Sequence, residues 1–531
     1  MGPTRTSAPP DSIWRDLPED TFREHLVALQ EQTNAIIVDS QTFSAEEWLA
    51  RQAPQFDKSD KLLPLSVEQQ VADDVAFLAA IEEGAQSVAA TALEQYSPLS
   101  IDTDSCPTLV FRIAAVDSLN PSVRMFLRNL CDRLQAVAST AASQNPSLPD
   151  KTPLETHAET LFSLVIEQHY IRILGRLRSI HWTKPTHLAR SHKKPLWQDF
   201  DNLLHRARHV YPSKSQSSLR QSIESAITNL QQIYLSFEDT IPCIGDDDKR
   251  QQKQLELIAR IHNLITATHT FCHNSSIRLY ARALTTLQTK TPQISAALKT
   301  LHQLEKIGAY LRIARSLIDT AAKYPTLFGT VEVAYLDGYD SVPTEIAYES
   351  WAKTLHVHAE IQLAVFYDLC WQTRDTIGTD TSAATAAGIA KTEPAKMLPT
   401  SPRRTSSRSM IPPRAIGTSK RLCYLCHLFL TQHALSLPLT SSTRTPPRFF
   451  PSSTHGRLYD QWTIPDLAVY SPATVLRYRA IVAAMDGAVS GLIVDGNGNG
   501  NGEVSGTEEK RGRARKRIEP MTSRQNLLGV E

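Results

Sequence analysis

The stretch His358-Ala359-Glu360, taken with Cys423-Tyr424-Leu425-Cys426, places one imidazole and two thiols in a single reading frame of chemistry. Those three groups can fill three of the four tetrahedral positions around a zinc ion, and an open fourth position is what separates a catalytic zinc from a structural one. Glu360 is then left over, free to move protons. Two cysteines three apart at a helix start lie on one face, so both sulfurs reach one ion. The positive end of the helix dipole also favours the thiolates that zinc requires.

Neither motif is specific alone. A second H-x-E, His157-Ala158-Glu159, has no strand before it and no cysteine pair after it, and reads as a chance match on a helix surface. A lone C-x-x-C fits a redox site or two buried thiols equally well. Order and context carry more. Thr330 to Leu336 alternates as a strand does, and Asp337-Gly338 signals a turn. A helix is expected next, with His358 and Glu360 near its start and Ile361, Ala364, Val365 and Leu369 on its buried side. From about 372 to 413 the composition turns to Thr, Ser, Ala and Pro, which predicts a disordered insertion. Arg414 to Gly417 reads as a short strand, and a second helix begins around Cys423. Arg448-Phe449-Phe450 and His455 to Tyr459 look strand-like, Trp462 to Pro465 closes the ordered part, and a helix is expected over about 472–489.

Upstream, residues 14–325 read as an all-α region of unassigned role behind a flexible start (1–13). Thr152-Pro153 with Glu155 is a capped helix start. From it Leu154, Ala158, Leu161, Val165, Ile173 and Leu177 recur on one face. Leu219, Ile223, Ile227, Leu230 and Tyr234 form a second stripe. Thr291-Pro292 opens a third helix, carrying Ile294, Leu298, Leu301, Leu304, Leu311 and Leu317 and stopping near Pro325. Leu255 to Phe271 suits a helix as well.

A length of 531 residues implies two to three domains. With 56 basic and 55 acidic residues the chain has no general affinity for polyanions, so any nucleic-acid contact needs a local patch. Seven scattered cysteines argue against a disulfide framework and for a reducing intracellular compartment. No apolar run suits a signal peptide or a membrane span. Gly496 to Gly502 alternates Gly and Asn, and Lys510 to Arg517 packs six positive charges into eight residues, a candidate nuclear address or nucleic-acid-binding tail.

His356-Val357-His358-Ala359-Glu360-Ile361-Gln362-Leu363, then Ile416 to Lys420 before Cys423-Tyr424-Leu425-Cys426, then His455 to Tyr459 with Trp462 to Pro465, together resemble the OTT_1508-like deaminases. That family is a branch of the cytidine-deaminase-like superfamily common in fungal genomes. The resemblance covers about 330–467. It implies an α/β/α domain with a mixed sheet (328–467), following the helical region and followed by a C-terminal helix (468–490) and a tail (491–531). It also implies Zn2+ held by His358, Cys423 and Cys426, with Glu360 as proton shuttle in hydrolytic deamination of cytosine or adenine, free or in a nucleotide or single strand. His455 and Trp462 are candidates for lining the base pocket. Leu422 stands where many superfamily members have proline, and the insertion accounts for the long separation of His358 from Cys423. His356 and His427 are weaker candidates as ligands. Two rival readings remain at this point: a non-catalytic interaction protein with a structural or lost zinc site, and a thiol-disulfide role for the cysteines. A protein partner for the helical region and a homo-oligomer stay open.

Overall fold

The computed structural model describes residues 11–51, 63–84, 87–98, 108–143, 152–185, 194–239, 247–287, 291–349, 352–377, 408–437, 448–466 and 470–493. Gly496 to Gly502 and the basic cluster Lys510 to Arg517 lie outside them, as does most of the expected insertion.

The first described residues are packed. Ser12 and Ile13 are buried, and both bond the Asp466 carboxylate, the Ile13 amide at 3.0 Å. The expected flexible start therefore does not extend to residue 13. Helix α1 (Glu19–Thr33) follows, then β1 (Gln41–Thr42), α2 (Ala45–Arg51) and α3 (Leu65–Ala79).

Next come two long strands, β2 (Ala89–Pro98) and β3 (Thr108–Ala115), inside the region expected to be all helix. The physical reason is clear in their composition. Ala-Ala-Thr-Ala-Leu-Glu-Gln is built from good helix formers, and β3 is buried at every position, so the alternation that marks a half-exposed strand is absent. Tertiary packing overrides local propensity here.

Helices α4 (Pro121–Ser143), α5 (Thr152–Leu177), α6 (Phe200–Val210), α7 (Ser217–Glu238), α8 (Asp247–His273), α9 (Ser275–Thr286), α10 (Pro292–Lys323) and α11 (Pro325–Phe328) make up the large helical region. Their apolar stripes face one core, in which α10 is central: it packs on α4, α5, α6 and α8. Thr291 caps it, its side chain accepting from the Ile294 amide at 3.3 Å with Pro292 in the first turn. Leu304, Ile307, Leu311 and Leu317 are then fully enclosed, each contributing about 1.5–3 kcal/mol of burial.

The chain returns to the sheet with β4 (Val331–Tyr335). A small hairpin, β5 (Val342–Pro343) with β6 (Thr354–Leu355), leads to α12 (Ala359–Ile377). After it come β7 (Arg408–Ile411), β8 (Ile416–Thr418), α13 (Tyr424–Ser436), β9 (Ser453–Thr454) and α14 (Pro472–Ser490). Residues 372–377 are thus helical and 408–411 a strand, which narrows the expected insertion at both ends. Nor are Arg448 to Phe450 and His455 to Tyr459 true strands: β9 and isolated bridges such as Ala415 with Phe450 replace them.

Among the described residues five strands form a mixed sheet in the order β4-β3-β2-β7, with β8 also pairing β2. Strand β4 runs parallel to β3 and the other pairings are antiparallel. The two-residue period of the strands sends Ala89, Leu93, Leu109, Phe111 and Ile113 into the helical core. Ala90, Ala92 and Ala114 enter a second core with α1, α12, α13 and α14. These alanines leave room for α12, which is tied to the end of β3 by Gln362 Nε2–H donating to the Ala115 carbonyl at 3.0 Å. A boundary near residue 325 consequently does not separate a helical body from a deaminase-like one, because β2 and β3 stand in the middle of the sheet that carries the site.

Strand β8 lies on the backbone of α3. A Cβ at Gly417 would meet the Ala72 carbonyl carbon at 2.0 Å and the Asp73 nitrogen at 2.2 Å. The Thr418 amide donates to Asp73 Oδ1 at 2.7 Å, holding the approach. Gly417→Ala should therefore cost about 1–3 kcal/mol, read as a lower urea midpoint with unchanged slope; an unaltered midpoint would mean that β8 does not sit this close.

Candidate metal centre

Each side chain of the motif pair is set by a helix start. The His358 carbonyl accepts the amides of Ile361 and Gln362, both at 3.0 Å, so His358 stands at the N-terminal end of α12 with Glu360 in its first turn. Cys423 is the N-cap of α13, and its sulfur accepts from the Cys426 amide at 3.3 Å. Strand β8 feeds that turn, and the loop after β9 braces it. The Tyr424 amide donates to the Arg457 carbonyl at 2.7 Å, and the His455 amide donates to the Leu422 carbonyl at 3.0 Å. Leu422, in place of proline, keeps a backbone N–H, which donates to the Ser453 carbonyl at 3.3 Å.

The two helix starts meet. His358 Nδ1 lies 3.3 Å from Cys426 Sγ and 3.7 Å from Cys423 Sγ. All three ligand atoms fall within 4.8 Å of one another, the one such group of three among the described residues. Both sulfurs are buried, and the cysteines are not joined to each other.

Charge in the cluster follows from its surroundings. Burial works against a Cys423 thiolate, but the hydrogen bond from Cys426 and the adjacent His358 outweigh it and hold Cys423 well below the usual thiol range. Burial likewise opposes a charged His358, and the Cys423 sulfur overcomes it and raises the imidazole. Burial, with the Cys423 charge beside it, raises Cys426. A divalent cation is the group that would let both sulfurs be anionic at once.

Glu360 is 5% exposed, and its Oε2 has no hydrogen-bond partner. Burial raises its carboxyl above the ordinary range. A buried carboxylate oxygen without a partner is costly in a purely structural role, and its position beside the cluster suits a site built to receive something.

Of the other residues singled out in the sequence, Trp462 is closest to the cluster but not as a base platform. It is 0% exposed, and its indole N–H donates to Cys426 Sγ at 3.2 Å. Its ring is core, packed near Phe429, and its polar edge orients a candidate ligand. His455 is half-buried, its Nδ1 accepting from the Arg457 amide at 3.1 Å and its ring edge-on to Tyr459. His356 turns its Nε2 to Thr354 Oγ1 at 3.2 Å, and His427 stacks on Phe43 at 4.9 Å. Glu159 of the second H-x-E pairs with His262 instead.

Sequence reading missed the group that locks the helices together. Asp368 on α12 accepts from Tyr478 on α14 at 2.5 Å, pairs with Arg477 at 2.9 Å and meets His433 Nε2 of α13 at 3.1 Å. Asp368 lies about two turns beyond Glu360, and His433 about two turns beyond Cys426, so helical spacing was the available signal.

Residues 357–466 match the model of the OTT_1508-like deaminase family. No curated protein and no solved structure matches the chain. The deaminase-like stretch contains His358, Glu360, Cys423, Cys426 and Trp462, but only β7 and β8 of the sheet's strands. The rest of the sheet that supports this deaminase-like domain comes from before it. No helix among the described residues is long and apolar enough to cross a membrane.

Proposed function

We propose that the chain is a zinc-dependent hydrolytic deaminase of a nucleobase, with cytosine or adenine as the reacting ring, presented free, in a nucleotide or in a single strand. The observation that carries this reading is the His358–Cys423–Cys426 cluster with Glu360 buried at its side, its Oε2 without a hydrogen-bond partner.

The donor set fits zinc: one imidazole nitrogen and two sulfurs, with room in the tetrahedron for one more group. When bound, zinc supplies Lewis acidity that makes a water molecule a ready nucleophile near neutral pH. His358 and the two cysteines would hold the ion; Trp462 N–H fixes the Cys426 sulfur. Glu360 does the proton work, accepting a proton from the attacking water, passing it to the ring nitrogen and then assisting the amine to leave as ammonia. Its raised carboxyl pKa suits a group that must both take and give a proton near neutrality. Water adds at the amine-bearing carbon, the C–N bond breaks, and the keto base and ammonia result.

The test begins with metal. Elemental mass spectrometry of the purified chain should find about one zinc per molecule, and Cys423→Ser/Cys426→Ser should contain almost none. A zinc-free wild-type protein, purified without chelator, would sink the reading and favour a non-catalytic role.

A further inference from the structure

Away from the metal centre, the turn before β2, the C-terminal part of α5, the short turn Leu196–Asp199 and the start of α10 enclose a cleft of about 700 Å³, within the range of small-molecule sites. Its lining carries seven lysines or arginines and three carboxylates. One of the three, Asp199, is already engaged by Arg178 and Lys194. Deepest is Arg172, 5% exposed, whose Nη1 has no hydrogen-bond partner. Its guanidinium lies 5.3 Å from the centre of the Phe77 ring. Arg176 shares that ring at 4.8 Å and donates to the Lys306 carbonyl at 3.0 Å. Positive charge is thus concentrated where water is scarce; the Glu83 carboxylate acts on Arg172, but Arg172 Nη1 is left without a hydrogen-bond acceptor, which is costly for a buried donor. Burial, then Arg176, lowers Arg172 to about 10, and burial with both arginines pushes His169 well below its ordinary value.

We propose that this cleft binds a small anion carrying several phosphate groups, with Arg172 and Arg176 at its floor and Lys299, Lys306 and Lys420 in its walls. Phosphate oxygens supply the acceptors that Arg172 Nη1 lacks, and planar guanidinium groups match them in pairs. A nucleic-acid strand would be bound along a cationic groove with aromatic platforms, whereas the lining of this cleft contains no Phe, Tyr or Trp side chain. Lys420 joins the cleft to the metal centre. Its Nζ donates to the Gly84 carbonyl at 3.3 Å, and it stands three residues before Cys423 in the loop from β8 to α13. An occupant touching Lys420 would therefore steady the turn that delivers the cysteines.

The probe is inorganic tripolyphosphate, titrated into the full chain by calorimetry and followed by thermal unfolding. Saturable binding with a higher Tm is expected. Lys299→Glu, an exposed position, and Arg172→Met should each weaken it at least about tenfold, the loss expected on removing a charge-assisted contact. Arg172→Met should also unfold no earlier than wild type without ligand, because it deletes a buried charge. No binding, or binding unchanged in both variants, would overturn the proposal. So would equal affinity for monophosphate, or a single-stranded oligonucleotide that binds through these residues and is not displaced by tripolyphosphate. Zinc content is measured alongside and should be the same in both variants, so the result stands apart from the deaminase reading.

Discussion

Glu360→Gln is expected to retain its zinc and to lose about 10²–10⁴-fold in deamination rate, the contribution of a positioned general acid and base. Glutamine keeps the shape and can still hydrogen-bond, but it cannot take a proton from water and hand it on. The side chain it replaces is enclosed and raised in pKa by that burial, so no solvent carboxylate can stand in for it. Ammonia release would be followed over cytosine, adenine, their nucleosides and short single strands, with metal content measured on the same samples. Undiminished turnover in Glu360→Gln would remove the proposed mechanism. Loss of zinc together with activity would instead make Glu360 a support for the metal.

Asp368→Ala should destabilise the fold by about 3–5 kcal/mol, the usual cost of removing one partner from a buried charged pair. Its carboxylate draws α12, α13 and α14 together through His433, Arg477 and Tyr478. Without it Arg477 and His433 face each other in a dry core, at the far side of the two helices that supply the metal ligands. The same group predicts an acid limb of stability. Burial alone would raise the Asp368 carboxyl, but His433 and Arg477 outweigh that and hold it at about 2. A folded-state pKa below the unfolded value of about 3.9 means stability fully present above pH ~4 and lost as pH falls toward ~2, about 2 kcal/mol in all. Urea midpoints across that window should fall for wild type, and Asp368→Asn should lack this component of the fall. Parallel curves would show that the carboxylate is not charged in the folded protein.

What the sequence determined by itself is local. The candidate ligands could be read as two local motifs, because Cys423 and Cys426 sit one helical turn apart at a helix start and His358 stands two residues from Glu360; that the two motifs meet, across 65 positions, was decided by packing. Helices α5, α7 and α10 could be read because their apolar stripes are set by neighbours three and four residues away, and for α10 also because of its Thr291 cap. The tertiary structure decided the rest. Strand β2 opens in residues that favour helix and β3 is buried at every position, so it lacks the alternation of a half-exposed strand; pairing with β4, β7 and β8 makes them a sheet, which ties the first third of the chain to the metal centre. Trp462 could have faced a ligand or the core, and it is fully buried with its indole N–H on Cys426 Sγ. Asp368 meets His433 and Tyr478 from 65 and 110 positions away, and the cationic cleft gathers side chains from across the helical region. Contacts at such separations depend on where whole elements pack; helical spacing puts Asp368 and His433 in line with the motif residues of their own helices, but not against each other.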